Sequence, residues 1–490
     1  NRIGTLSRNK EHLQARISGN IIRVYTTAEI VDDDPYLDVK TPYMAVWLDG
    51  EIGISTGQKK TLQEIKEAIQ IQKQKLQDEA DEYGELSEAY VAVQAGIAWN
   101  LIYEPKHNRV VSTVGRLWNE EYGGYCLFGW DNFFLSFMTG LSSRDLAYAN
   151  AIEHLHGKTE NGFIPNDNRG NGSKSFDRSQ PPVGGIMVKE IYKRYPEQWF
   201  LEATFDDLLE WNRWWPNARM NEGLLSYGSS PADNPFNEPV FETKTAAGYE
   251  SGMDDSPMYV GVPFNKDKHT LELQDVGLNS LYIADCQALA EMAGIIDRND
   301  EKLELLKRAK EFSYAMEKVW DNNFGAYLNY RTDVDSLSKR VSPTMFYPLL
   351  AELGYKGRAD HIVQHFYDPK EFYGDWMLPS TTRNDPLFPK QRYWKGAIWP
   401  PLNFLTYLSL RQAGYYGAAR ELSDKSLKLI LTEWNRKGYV SENYSSITGT
   451  GDDERLSSDR FHSWGALFGI MSFIEQGYLP KTESQLEPRK

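Results

Sequence analysis

From about Glu85 to Leu479 the chain repeats one pattern, a run with apolar residues three and four apart followed by a short polar or glycine-bearing break. Candidate helices fall near 86–104, 131–140, 142–156, 182–195, 197–215, 274–293, 299–320, 341–353, 357–367, 397–413, 416–436 and 460–476. They differ in character. Residues 277–293 are apolar nearly all round, as an inner helix demands. Residues 299–320 instead set Leu305, Ala309, Phe312, Met316 and Val319 on one stripe with Lys and Glu opposite, as an outer helix does. Twelve helices in inner and outer pairs predict an all-α domain, an (α/α)6 barrel. A stacked helical solenoid satisfies the same count, since no fixed-length repeat separates the two. Gly140, Gly157, Gly294, Gly354, Gly414 and Gly477 stand where left-handed helix ends are wanted.

Ahead of the helices the periodicity changes. NIIRVYTTAEI (20–30) and YMAVWLDGEIGIS (43–55) read as strands, the second broken by the turn pair Asp49-Gly50. The expected organisation is a β-rich segment over 1–58, the tail of a β-domain, then a solvated linker helix over 59–84 and the barrel over 85–490. The chain begins Asn1-Arg2-Ile3-Gly4 with no charged-then-apolar leader, which reads as a processed or trimmed terminus and leaves the compartment open.

Charge narrows the partners. With 54 Lys and Arg against 69 Asp and Glu the net charge is −15, and no basic stretch can neutralise a row of phosphates. Nucleic acid is not an expected partner. No apolar run approaches the ~18 residues of a membrane span. Cys126 and Cys286 offer neither a disulfide framework nor a thiolate cluster and read as core. The eight histidines show no HExxH spacing, and His154 and His156, two apart, cannot share a helical face. The 14 Trp, 29 Tyr and 21 Phe suit helix packing, sugar binding, or both.

The aromatic and acidic residues that escape the helical stripes gather in loops: LFGWDNFF (127–134), FDRSQPPVGG (176–185), GYESGMDDSPMY (248–259), RYWKGAIWPP (392–401), YVSENYSSITG (439–449) and DRFHSWGAL (459–467). Asp254 and Glu442 lie roughly six helices apart at the average helix-plus-loop length, which puts them on opposite walls of a closed ring of twelve. Glycoside hydrolysis requires such a pair, an acid for the leaving oxygen and a second carboxylate on the other face of the sugar. Any two acidic residues can be paired this way, so the weight rests on their neighbours. Gln180, Glu250 and His462 are candidate sugar contacts by their place in these loops, and Asp255 competes with Asp254 for the catalytic place. The run NDNRGNG (166–172) reads as a flexible lid or rim loop.

Four of these stretches resemble glycoside hydrolase family 63, the inverting α-glucosidases together with mannosylglycerate and glucosylglycerate hydrolases. The resemblance rests on Glu250–Asp255 (Glu-Ser-Gly-x-Asp-Asp), Glu442–Tyr444 (Glu-Asn-Tyr), Trp130-Asp131, Tyr393–Gly396 (Tyr-Trp-Lys-Gly) and Trp399, in the family's order over about 85–479. It implies that Asp254 is the general acid and Glu442 the general base. Trp130 and Asp131 would grip the sugar on the non-reducing side, and Tyr393, Trp394, Lys395, Trp399 and Trp464 would line the pocket. Asp254 must then be held protonated by an apolar surround or by Asp255 and Glu250, and Glu442 ionised, with Lys395 a candidate partner.

The chain departs from its relatives in two places. Where some carry an Asp/Asn/Gly-rich calcium loop, residues 216–228 read PNARMNEGLLSYG, poor in carboxylates, so no cofactor is expected and calcium is disfavoured. The Gln-Trp-Asp-x-Pro signature of trehalases is replaced by Tyr393–Gly396. The expected substrate is an α-linked oligosaccharide or glucoside, cut from its end. The alternatives are a mannosylglycerate- or glucosylglycerate-type hydrolase, a trehalase-like enzyme and, more remotely, an α/α-barrel polysaccharide lyase or a non-catalytic sugar-binding protein.

Overall fold

A computed structural model describes residues 4–17, 19–31, 42–104, 107–118, 123–355 and 357–482. The chain divides into two compact units, Asn1–Ser87 with Pro105–Asn108, and Glu88–Glu104 with Arg109–Lys490.

In the first unit β-branched residues build an antiparallel four-stranded sheet in the order Gly4–Arg8, His12–Ile17, Asn20–Thr26, Ile54–Thr56. Its register places Leu6 opposite Ala15 and Ala15 opposite Ile22, so one face is apolar. Helix α1 (Leu62–Asp81) begins in a capping box. The Thr61 hydroxyl accepts from the Glu64 N–H, and the Glu64 carboxylate accepts from the Thr61 N–H. Only Ala80 of this helix is buried, as a solvated helix requires. Residues 1–3, 18 and 32–41 of the expected β segment lie outside the described residues.

The second unit is helical. Its helices are α2 (Ser87–Ala98, from Glu88 onward), α3 (Gly129–Thr139), α4 (Arg144–Leu155), α5 (Gly184–Arg194), α6 (Gln198–Arg219), α7 (Lys244–Glu250), α8 (Val276–Ile295), α9 (Asn299–Ala315), α10 (Tyr347–Leu350), α11 (Arg358–Phe366), α12 (Pro400–Gln412), α13 (Tyr416–Lys437) and α14 (Leu467–Glu475). Every residue of α3 is buried, as is nearly every residue of α8, α12 and α14. By contrast α9 buries only Leu305, Ala309 and Phe312, the stripe its sequence displays. Six helices contact one another in sequence. Helix α3 packs on α5, α5 on α8, α8 on α10, α10 on α12, α12 on α14, and α14 returns to α3. The amphipathic helices α4, α6, α9 and α13 pack on the outside of these.

Several boundaries differ from the sequence reading. Helix α2 stops at Ala98, and Leu101–Glu104 is a strand paired with Arg109–Ser112. Pro216 lies inside α6 rather than at its end, because Arg219 carries the last turn onward into a buried ion pair. Gly414 and Gly477 are left-handed (φ 80° and 84°), as is Gly438 after α13. Gly140 is right-handed, and Gly157, Gly294 and Gly354 do not take positive φ either. Close approach explains two of these: a Cβ would stand 2.6 Å from Asn168 at Gly157 and 2.9 Å from Ala359 at Gly354.

No helix among the described residues is long and apolar enough to cross a membrane.

Candidate active site

The segments that lead into α3, α5, α12 and α14 converge on one cavity of about 550 Å³. Helix α3 sets its first turn there. The Trp130 N–H donates to the Gln180 side-chain oxygen (3.0 Å), and His154, inside α4, bonds the Gly129 carbonyl (2.9 Å). Trp130 and Asp131 thereby face the cavity beside Gln180. Asp131 is almost wholly buried, and burial, reinforced by the charge of Asp254, holds its carboxyl well above the usual range.

Asp254 lies in the turn after α7. Burial, with the charge of Asp255 second, raises its carboxyl to about 7. The Tyr393 hydroxyl donates to Asp254 Oδ2 (3.3 Å). Tyr393 reaches it from a strained loop in which Gln391 (φ 51°), Tyr393 (φ 54°) and Gly396 (φ 103°) are left-handed. Only glycine fits at 396, where a Cβ would meet the Phe388 carbonyl at 2.6 Å. Asp255 turns to the neighbouring loop. It pairs with Lys395 and accepts from the Trp394 N–H (3.1 Å), so it shapes the charge around Asp254.

Glu442 follows α13. Its Oε2 accepts from the Asp459 N–H (3.2 Å) and the Asn443 side-chain amide (3.3 Å). Burial, and then Asp459, Asp131 and Asp254, still hold its carboxyl well above the usual range. His462 Nε2 stands 4.0 Å from Oε1 but contributes no charge, because burial lowers that imidazole to about 3. Trp464 donates its indole N–H to the Glu442 carbonyl (3.0 Å) and meets Trp130 edge to face.

Of the expected residues, Asp254, Glu442, Trp130, Asp131, Gln180, Tyr393, Trp394, His462 and Trp464 line the cavity. Three stand elsewhere. Glu250 is fully buried in an ion pair with Arg219 and bonds the Ser179 and Gly228 N–H groups. Trp399 lies behind the wall, stacked on Trp394 at 3.7 Å and donating to the Tyr393 carbonyl (3.0 Å). Lys395 serves Asp255 and not Glu442. The NDNRGNG run is no free lid: Asp167–Arg169 is a strand paired with Cys126–Phe128. It brings in residues the motifs do not mark, Asn166, Asp167 and Arg169, joined by Arg178, Glu238 and Tyr249. Among the described residues no cluster of three or more His, Cys, Asp or Glu is arranged to hold a metal ion, and residues 216–228 form the end of α6 and a short hairpin.

Residues 129–464, most of the helical unit and all of the cavity's lining except Trp118 and Phe128, match the family described as mannosylglycerate hydrolase MGH1-like glycoside hydrolase domain. The chain belongs to this group of glycoside hydrolase family 63. The hydrolase is 24% identical over 312 residues to a mannosylglycerate hydrolase of Thermus thermophilus, across 56% of this chain and 72% of that one. It is 32% identical over 125 residues to a mannosyl-oligosaccharide glucosidase of Saccharomyces cerevisiae, across 22% of this chain and 14% of that one. Among solved structures, a family 63 mannosylglycerate hydrolase of Thermus thermophilus in complex with Tris and D-glycerate superposes with a TM-score of 0.61. That likeness is one of fold, at 18% identity over 79% of this chain and 99% of that one.

Proposed function

We propose that this glycoside hydrolase is an inverting, exo-acting enzyme that cleaves α-glucosidic bonds in short oligosaccharides or glucosides. The observation that carries the reading is one cavity lined by both Asp254, its carboxyl raised to about 7, and Glu442. Asp254, protonated near neutrality, donates its proton to the glycosidic oxygen as the bond to the anomeric carbon breaks. Glu442, ionised, takes a proton from a water that attacks that carbon from the opposite face. The hydrogen bonds from Asp459 and Asn443 favour its carboxylate form against burial. Asp131 accepts sugar hydroxyls, and the faces of Trp130 and Trp464 suit the apolar C–H face of a pyranose. The closed succession of contacts α3, α5, α8, α10, α12, α14 supports an (α/α)6 barrel as the frame.

A second reading, hydrolysis of mannosylglycerate or glucosylglycerate, is supported by the likeness of residues 129–464 to the mannosylglycerate hydrolase MGH1-like domain.

The test is release of sugar from α-glucosyl and α-mannosyl disaccharides and glycerate glycosides by wild type, Asp254→Asn and Glu442→Gln. Each substitution is expected to lower kcat by ~10²–10⁴. Full activity in both variants would overturn the assignment, and cleavage of no member of the panel would overturn the substrate class.

A further inference from the structure

Resting on the reading above, we propose that this enzyme selects glycosides whose aglycone is neutral and discriminates against those ending in a carboxylate such as glycerate, through the triad Asp167, Arg169 and Glu238 on the cavity wall. The cavity's cations are already matched. Arg169 pairs with Asp167 through Nε (2.5 Å) and with Glu238 through Nη1 (2.6 Å). Arg178 pairs with Asp177 (2.7 Å) and Asp167 (3.6 Å) and donates to Asn166 (3.3 Å). Three carboxylates thus surround two guanidinium groups, a local surplus of negative charge. His462 is neutral, and Lys395 is held by Asp255.

Among the described residues no cation lining the cavity is without a carboxylate partner. An aglycone carboxylate must therefore displace Asp167 or Glu238 from an arginine or lie beside them uncompensated. A hydroxyl in its place meets acceptors that suit it. Arg178 is 2% exposed, with its guanidinium over the rings of Phe241 (5.8 Å) and Tyr249 (5.4 Å), so it cannot swing out to a new partner without repacking. Glu238 sits in a partly exposed loop and is bonded by Ser173, so it is the member that substitution can remove at least cost.

The experiment compares matched substrates that differ only in one group: α-glucosylglycerol with α-glucosylglycerate, and the two α-mannosyl equivalents. The neutral member is expected to show at least a tenfold higher kcat/KM, and Glu238→Gln is expected to narrow that ratio by freeing one edge of Arg169. Raised salt should narrow the ratio in the wild type too, a readout that does not depend on the variant folding. A glycerate glycoside cleaved as well as or better than its glycerol partner would overturn the inference and leave the hydrolase reading standing. A ratio unmoved by both Glu238→Gln and salt would also overturn it. If no member of either pair is cleaved, the α-glycosidase reading fails, and the inference with it.

Discussion

In the proposed mechanism two carboxyls carry the chemistry, and both lie where charge is costly. Asp254 is raised from its ordinary 3.8 to about 7, and Glu442 stands well above 4.5. The proposed mechanism needs a proton on the first and none on the second. Accordingly kcat/KM should fall on the alkaline side as Asp254 loses its proton near pH 7, and on the acid side as Glu442 gains one, giving a bell. A plateau running from about pH 5 to 9 would contradict this. The same shift has a stability cost with a definite sign. Below pH 3.8 Asp254 is protonated folded and unfolded, and nothing is lost. Between 3.8 and about 7 the unfolded chain ionises first, so folding weakens as pH rises and the full penalty is present above 7. Asp254→Asn should therefore stabilise the fold at about pH 8, by on the order of 4 kcal/mol, and leave it near wild type at about pH 3.5. Calorimetry at the two pH values checks it, and equal shifts at both would refute it. Asp254, Glu442, Trp394 and Trp464 are legible in the sequence as cavity residues because they sit off the helical stripes, and Trp130 because it opens a helix. The sequence does not reveal Arg169, Asp167 and Glu238, since their association comes from strand pairing between 126–128 and 167–169 and from a loop some seventy residues further on.

Among the elements, α6 and α7 show how a motif residue can serve the frame. The last turn of α6 delivers Arg219 and the end of α7 delivers Glu250, and the two form an ion pair with both side chains fully buried. The Glu-Ser-Gly segment thus fixes the start of the turn that carries Asp254. Because Arg219 would be left as an uncompensated buried charge, Glu250→Gln should cost roughly 3–5 kcal/mol. Urea unfolding measures this. Unchanged stability with a raised KM would instead make Glu250 a sugar contact. Helix positions are legible from periodicity, as α9 shows with Leu305, Ala309 and Phe312. Helix ends are less so, because Gly157 and Gly354 are needed for close packing and not for backbone freedom.

At the scale of the whole molecule, the buried helices meet in order and close on themselves, which brings residues 130, 254, 393, 442 and 464 to one cavity from across the chain. Six helices, α8 to α13, separate Asp254 from Glu442 along the chain. Family membership establishes a glycoside hydrolase; the stereochemical course follows from which roles the two carboxyls take. The most direct measurement is proton NMR of the first turnovers on an α-glucoside, before mutarotation mixes the anomers. Inversion by Asp254 and Glu442 predicts that β-glucose appears first. Initial release of α-glucose would require a covalent intermediate and contradict the proposed mechanism.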